Sequence, residues 1–512
     1  MTLTRRGLLR LAGGAAIALP FVSLGASCQA GSSGSTGRSL PSRVKMPAPF
    51  AVSLPIPPVL RPSRTDASTD YFEITQKPGM AQILPGYTTP MWGYNGIFPG
   101  PTIESRRGRR VVVRHRNELP VPVVVHLHGG VTPPEHDGYP TDLLLPVDGW
   151  TGSHLDHGSS GRVKQGVREY AYPLDQPAAT LWYHDHRMDF TGAQVYRGLA
   201  GFHLVHDDQE DALPLPRGER DIPLMICDRS FEEDGSFRYP SIDPTLRDRP
   251  GVEEQYAEGV LGDVILVNGV AWPSLEVTNT RYRFRILNAS NARRYSLALD
   301  PPPRQGSTFI QVGSDVGLLP VPMNHDQLDI AQGERLDVVV DFASYPIGTQ
   351  ITLVNQLGSG PTSQVMRILV TGRARDDSAV PARLVDFEPL ERGAATVTRH
   401  FTFDQRGDGW AINGRTFDPN RDDAEPRFGS TEIWHLDTDV HHPIHLHMAH
   451  FQVLTRNGRG PGPYDAGWKD TVDLRGEAEI IARFTGYSGR YVFHCHNLEH
   501  EDMAMMANFR VG

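Results

Sequence analysis

The chain has 512 residues, 39% of them hydrophobic, and a formal net charge of -10. That length buries several cores, with about three domains as the prior, and the acidic balance speaks against nucleic acid or an anionic membrane surface as a partner. Three cysteines (Cys28, Cys227 and Cys495) are too few for a disulfide framework, while 51 glycines and 42 prolines among short runs of Val, Ile, Phe and Tyr predict turns joining strands, hence an all-β protein.

At the N-terminus, Arg5 and Arg6 precede an apolar Gly/Ala-rich run to Leu24. Residues 1–30 therefore read as a twin-arginine signal peptide, and the mature protein is expected outside the cytoplasm. Cys28 is a candidate for lipid anchoring, although Gly25 stands where such signals carry leucine. Residues 31–65 form a Pro/Ser-rich leader, and no other stretch is apolar over the ~20 residues a membrane span needs.

Three Asn-Gly turns then mark three copies of one unit: Asn95-Gly96, Asn268-Gly269 and Asn413-Gly414, each followed by a proline and a β-rich run. The ends of the copies also align. His184-Asp185-His186 in the first and His494-Cys495-His496 in the last take the place of Leu353-Val354-Asn355 in the middle. The middle copy is thus expected to hold no metal there. Boundaries are expected near residues 210 and 390, where 213–218 and 382–389 read as linkers, giving domains 66–210, 211–390 and 391–512.

Ten of the 21 histidines fall in four tight groups: His126/His128, His184/His186, His442/His445/His447 and His494/His496/His500. In extended backbone, His-x-His turns both imidazoles to one side, spaced to converge on a metal. By the same parity, His494 and His496 share one face while Cys495 takes the other. His442 is opposite in parity to His445 and His447, so it joins Cys495. With His500 and Met505 following the cysteine, two imidazoles, a thiolate and a thioether make the ligand set of a blue copper centre. Eight imidazoles remain for a second site. Structural zinc takes four ligands per ion and does not need a thiolate strand shared with it. The other eleven histidines read as structural or solvent-facing, with His154 and His157 able to take an adventitious metal; Cys227 reads as a small buried hydrophobe.

Over residues 70 to 512 these signatures, His-x-His-Gly, His-x-His, His-x-x-His-x-His and His-Cys-His-x-x-x-His-x-x-x-x-Met, resemble the three-domain multicopper oxidases. The chain is most similar to bacterial spore-coat laccases, then to bilirubin oxidases and phenoxazinone synthase; its export signal argues against a coat location. The resemblance implies three consecutive cupredoxin-like Greek-key β-barrel domains and four copper ions. It places a type 1 copper on His442, Cys495, His500 and Met505. A type 2 copper falls to His126 and His445, and a type 3 pair to His128, His184, His186, His447, His494 and His496. It also names Glu501 and Asp137 as acids that deliver protons.

The implied activity is oxidation of phenols, aromatic amines or similar small donors by O2, with electrons entering at the edge of His500, a ligand expected to be exposed in a terminal loop. A monomer is expected. The competing readings are a cuprous-ion metallo-oxidase, weakened by a single methionine, Met366, between residues 350 and 400; a bilirubin-oxidase-type activity; and a metal-free structural relative, disfavoured by the complete ligand set.

Overall fold

The computed structural model describes residues 34–152, 162–407 and 409–512. Alternation across extended backbone decides which residues become walls of a core. In Arg110–Asn117, Val111, Val113 and His115 are buried while Arg110, Arg114 and Arg116 face solvent. Strands of this kind assemble into three successive pairs of sheets, and the all-β expectation holds.

The first pair, in residues 64–206, sets a five-stranded sheet against a four-stranded one ordered Gly100–Arg106, Ala200–His206, Ala179–Asp185, Val125–His128. Both sheets contribute to one core, Phe72 and Val113 from one, Leu127, Leu181 and Tyr183 from the other. The middle pair, in residues 221–372, encloses Leu224, Ile226, Leu297, Ile351 and Ile368. In the third pair the four-stranded sheet runs Thr471–Leu474, His442–Leu446, Gly489–Cys495, Met506–Val511, and shares a core of Phe401, Trp434, Phe493 and Phe509 with its partner sheet.

One turn recurs in all three pairs. Asn95, Asn268 and Asn413 sit at φ of 57, 48 and 52°, each before a glycine that is also left-handed, the combination Asn-Gly tolerates best. Each Asn Oδ1 accepts from the backbone N–H of a distant strand residue, Thr75, Met225 or Thr402 respectively.

The histidine strands are neighbours in their sheets. His126 lies directly opposite His184 in one antiparallel ladder, and His445 directly opposite His494 in the other. Register therefore doubles each His-x-His into a facing set before any contact between sheet pairs is made.

The leader belongs to the folded body. From residue 34 onward it packs, with Arg38–Leu40 pairing in parallel with Val260–Gly262 and with Leu40, Val44 and Leu54 buried. The two segments read as linkers are likewise anchored, Leu215 and Leu384 sharing a small core with Val312 and Leu319. Cys227 is fully buried in the middle core, where burial pushes its thiol up to about 11. The signal segment with Arg5, Arg6 and Cys28, and the pair His154 and His157, lie outside the described residues. Among the described residues no helix is long and apolar enough to cross a membrane.

Two histidines buried away from the clusters give the fold a pH signature. His115 and His203 are at most 1% exposed, and burial lowers both to about 3. The unfolded chain protonates them near 6.5 and the folded chain does not, so between about pH 6.5 and 3 the unfolded state binds more protons and stability falls as pH falls. Each such group contributes up to about 1.4 kcal/mol per pH unit. In His203→Gln, unfolding free energy measured from pH 6 to 4 is expected to fall less steeply by about that amount; an unchanged slope would show that His203 is protonated in the folded chain.

Candidate metal centre

The first and third sheet pairs bring their histidines to one place. His126 Nε2 lies 3.4 Å from His445 Nε2 although 319 residues separate them. His126, His128, His184, His186, His445, His447, His494 and His496 are all at most 1% exposed. Their ligand atoms converge in compact triads, His128/His184/His496 and His186/His447/His494, with His126 and His445 grouped beside His128.

Hydrogen bonds decide which nitrogen each ring turns inward. Nδ1 of His126, His184, His445 and His494 lies 2.6 to 3.0 Å from the carbonyl oxygens of Asp137, Asp185, Asp470 and Cys495. A carbonyl can only accept, so each Nδ1 carries the proton and each Nε2 presents a bare lone pair. The facing Nε2 atoms of His126 and His445 are therefore lone pair against lone pair. His494 Nε2 stands 3.2 Å from Nε2 of both His186 and His447. Protonation does not relieve this, because burial pushes His126, His445 and His447 well below the ordinary imidazole value.

Among the described residues, further nitrogens have no hydrogen-bond partner: His184 Nε2, His128 Nδ1 and both nitrogens of His496. His128 is turned the opposite way, its Nε2 lying 3.2 Å from Asp470 Oδ1 and 3.1 Å from Thr471 Oγ1. Buried, unpartnered imidazole lone pairs aimed at a common centre fit a cluster of transition-metal cations.

The second group forms on the other face of the same strand. His442 Nδ1 and His500 Nδ1 stand 3.4 and 3.6 Å from Cys495 Sγ and 3.0 Å from each other. Burial pushes the Cys495 thiol well above its ordinary value, against the Asn497 N–H that donates to Sγ. A thiolate there calls for a bound cation. Met505 is fully buried in the same core, and its carbonyl accepts from Cys495 N–H at 3.1 Å. Sulfur and imidazole together select a soft metal such as copper.

His500 departs from expectation. It is fully buried and sits in a short helix, Leu498–Asp502, rather than exposed in a loop. Trp410 stacks on its ring at 3.8 Å, and its Nε2 donates to Glu258 O at 3.1 Å. The imidazole edge is roofed by backbone from the middle pair, which the third-copy sequence carries no sign of.

Both expected acids border the cluster. Glu501 is 1% exposed, with Oε1 3.5 Å from His186 Nδ1 and Oε2 3.2 Å from His494 Nδ1. Burial opposes its ionisation, yet His186 and His494 hold it below the usual carboxylate range. Asp137 contacts His447 Nδ1 through Oδ2 at 2.7 Å, and burial, reinforced by Asp142, pushes it well above its ordinary value.

The first copy fills the cysteine position with a structural residue, Asp185, and the middle copy with Val354. Asp185 accepts from Val124 N, Arg187 N and Gln194 Nε2. In the middle copy Asn355, at the place of His496, accepts from Ser296 N and Leu357 N. Sequence reasoning missed Trp410, Gly333, Arg335 and Asp470, all of which reach these sites from positions that belong to no motif. Gly333 has φ +82°, and a Cβ there would lie 3.0 Å from His496 Cδ2 and 3.1 Å from His128 Cε1.

Family models described as multicopper oxidase match residues 76–210 and 392–512. The chain is 39% identical to a laccase of Bacillus stratosphericus, over 89% of this chain and 98% of that protein. It is 36% identical to a bilirubin oxidase of Albifimbria verrucaria, over 90% and 81% respectively. A solved laccase structure from Pediococcus acidilactici superposes with a TM-score of 0.80 at 31% identity, covering 92% of this chain and 96% of that one.

Gly333→Ala tests whether the histidines tolerate any shift. The added methyl is expected to displace His128 and His496 and to weaken metal binding at the eight-histidine cluster by roughly 10- to 100-fold, while the His442–Cys495–His500 group keeps its metal. Metal analysis of the purified variant reads this directly; a full complement at wild-type affinity would contradict it.

Proposed function

This chain belongs to the multicopper oxidase family, and from that premise we propose a laccase-like oxidase that takes single electrons from phenols, aromatic amines or related small donors near His500 and reduces O2 to water at the histidine cluster. The observation that carries the reading is the strand Gly489–Cys495 and its next residue: one thiol and two cluster imidazoles, His494 and His496, are consecutive in the chain and belong to two different donor sets.

Four copper ions suit these donors. One would be held by His442, Cys495, His500 and Met505, one by His126 and His445, and a pair by His128, His184 and His496 with His186, His447 and His494. Bound there, copper supplies one-electron acceptance from the donor and the four-electron reduction of O2, chemistry that no side chain here offers.

The protein's own residues do the rest. Cys495 is joined through its backbone to both His494 and His496, so the shortest covalent path between the two sites passes through one residue. Burial of every ligand keeps bulk water away from the place where O2 is reduced. The covering of His500 by Trp410 and Glu258 means that donors dock against that roof, whose shape then sets which donors are used. Glu501, ionised between His186 Nδ1 and His494 Nδ1, is the group we assign to accept and pass protons to the cluster, and Asp137 Oδ2 on His447 Nδ1 is a second. The Arg5-Arg6 signal supports export of the protein from the cytoplasm.

Steady-state rates of the copper-loaded protein with a methoxyphenol, bilirubin and cuprous ion test the donor class. The phenol is expected to be turned over, and Cys495→Ser to abolish that activity together with the blue colour. Cuprous ion winning by a wide margin would make the protein a metallo-oxidase instead. Separately, Glu501→Gln is expected to lower kcat by about 10²- to 10⁴-fold with copper content unchanged; wild-type kcat in that variant would remove Glu501 from the proton path.

A further inference from the structure

The middle pair of sheets contributes no imidazole to the cluster, yet its Arg335 reaches it. Arg335 is fully buried, and all five of its N–H groups are used. Nε donates to Thr180 O (2.9 Å) in the first pair. In the middle pair, Nη1 donates to Gly333 O and Nη2 to Asp315 O, both at 2.8 Å. The remaining two N–H groups form a fork on Asp470 in the third pair, Nη1 to Oδ1 at 2.8 Å and Nη2 to Oδ2 at 2.5 Å.

A guanidinium is rigid and planar, so five satisfied donors fix the plane of the Asp470 carboxylate relative to all three sheet pairs. Asp470 Oδ1 also accepts from Thr471 Oγ1 at 2.8 Å and stands 3.2 Å from His128 Nε2. The backbone after His128 leaves room for the ion pair. A Cβ on Gly129, which has φ +86°, would fall 2.7 Å from Asp470 Oδ2 and 2.8 Å from Arg335 Nη2.

Resting on the copper reading above, we propose that Arg335 and Asp470 are positioning residues that orient His128, and that through them the ligand-free middle pair of sheets controls assembly of a metal cluster built by the other two. A carboxylate accepts and does not donate, so Asp470 keeps the proton of His128 on Nε2 and leaves Nδ1, the unpartnered nitrogen, facing the cluster. An amide at position 470 has one acceptor. Its NH2 would oppose one arm of the Arg335 fork, breaking the bidentate pair that fixes the acceptor behind His128 Nε2.

The wild-type protein tests this without any variant. In the fully reduced, diamagnetic copper-loaded protein labelled with ¹⁵N-histidine, His128 is expected to carry its proton on Nε2; a proton on Nδ1 overturns the proposal. Copper titrations of Asp470→Asn and Arg335→Lys supply the second arm. Both variants are expected to lose cluster copper with roughly 10- to 100-fold lower affinity while keeping the blue colour of the His442–Cys495–His500 site, which neither residue touches. Either variant holding cluster copper at wild-type affinity overturns the proposal. A wild type that takes up no copper at all overturns instead the reading on which it rests.

Discussion

Neutral imidazoles turned lone pair to lone pair repel one another, and the folded chain holds eight buried rings around one centre with His126 and His445 in that arrangement. Local sequence supplies part of the hold, since His184 and His494 each meet the carbonyl of the next residue. What keeps them is a set of acceptors on the outer side of the rings, mostly backbone carbonyls, which bind the Nδ1 protons and cannot let go without exposing an unsatisfied buried donor. The repulsion built into the metal-free protein becomes binding energy when cations enter, which is how metal affinity and folding are coupled in such sites.

Division of labour among the three sheet pairs follows from this constraint. The first and third bring strands whose registers already set His126 opposite His184 and His445 opposite His494. The middle pair has Leu353, Val354 and Asn355 at the corresponding place and cannot ligate, but it supplies the parts that hold the others: Gly333 against two rings, Arg335 across all three pairs, and the Glu258 carbonyl over His500. A copy that loses its ligands is thereby free to become a clamp and a roof.

The same logic explains the single cysteine. Position 495 and its counterpart 185 are equivalent in strand and parity, but Asp185 is tied down by three donors and serves to hold its loop. Cys495 lacks such partners apart from one backbone N–H and the facing imidazoles of His442 and His500. At this position the first copy has a structural latch and the third a thiol facing two imidazoles.

The four histidine groups, the face each one takes, and the pairing of His442 with Cys495 were legible in the chain, because a period of two residues is a property of extended backbone whatever surrounds it. The three repeated turns were legible for a similar reason: Asn-Gly carries its left-handed conformation with it. Burial of His500, the clamp on His128 and the clearance at Gly333 were not, since Trp410, Glu258, Arg335 and Asp470 are ordinary residues until folding brings them from other sheet pairs. Ligand identity and parity are local and survive in one dimension. His184 and His494 find their carbonyl on the next residue, but for His126, His128 and His445 the tautomer depends on which distant carbonyl or carboxylate stands behind the ring, and that, like accessibility, is decided by long-range packing.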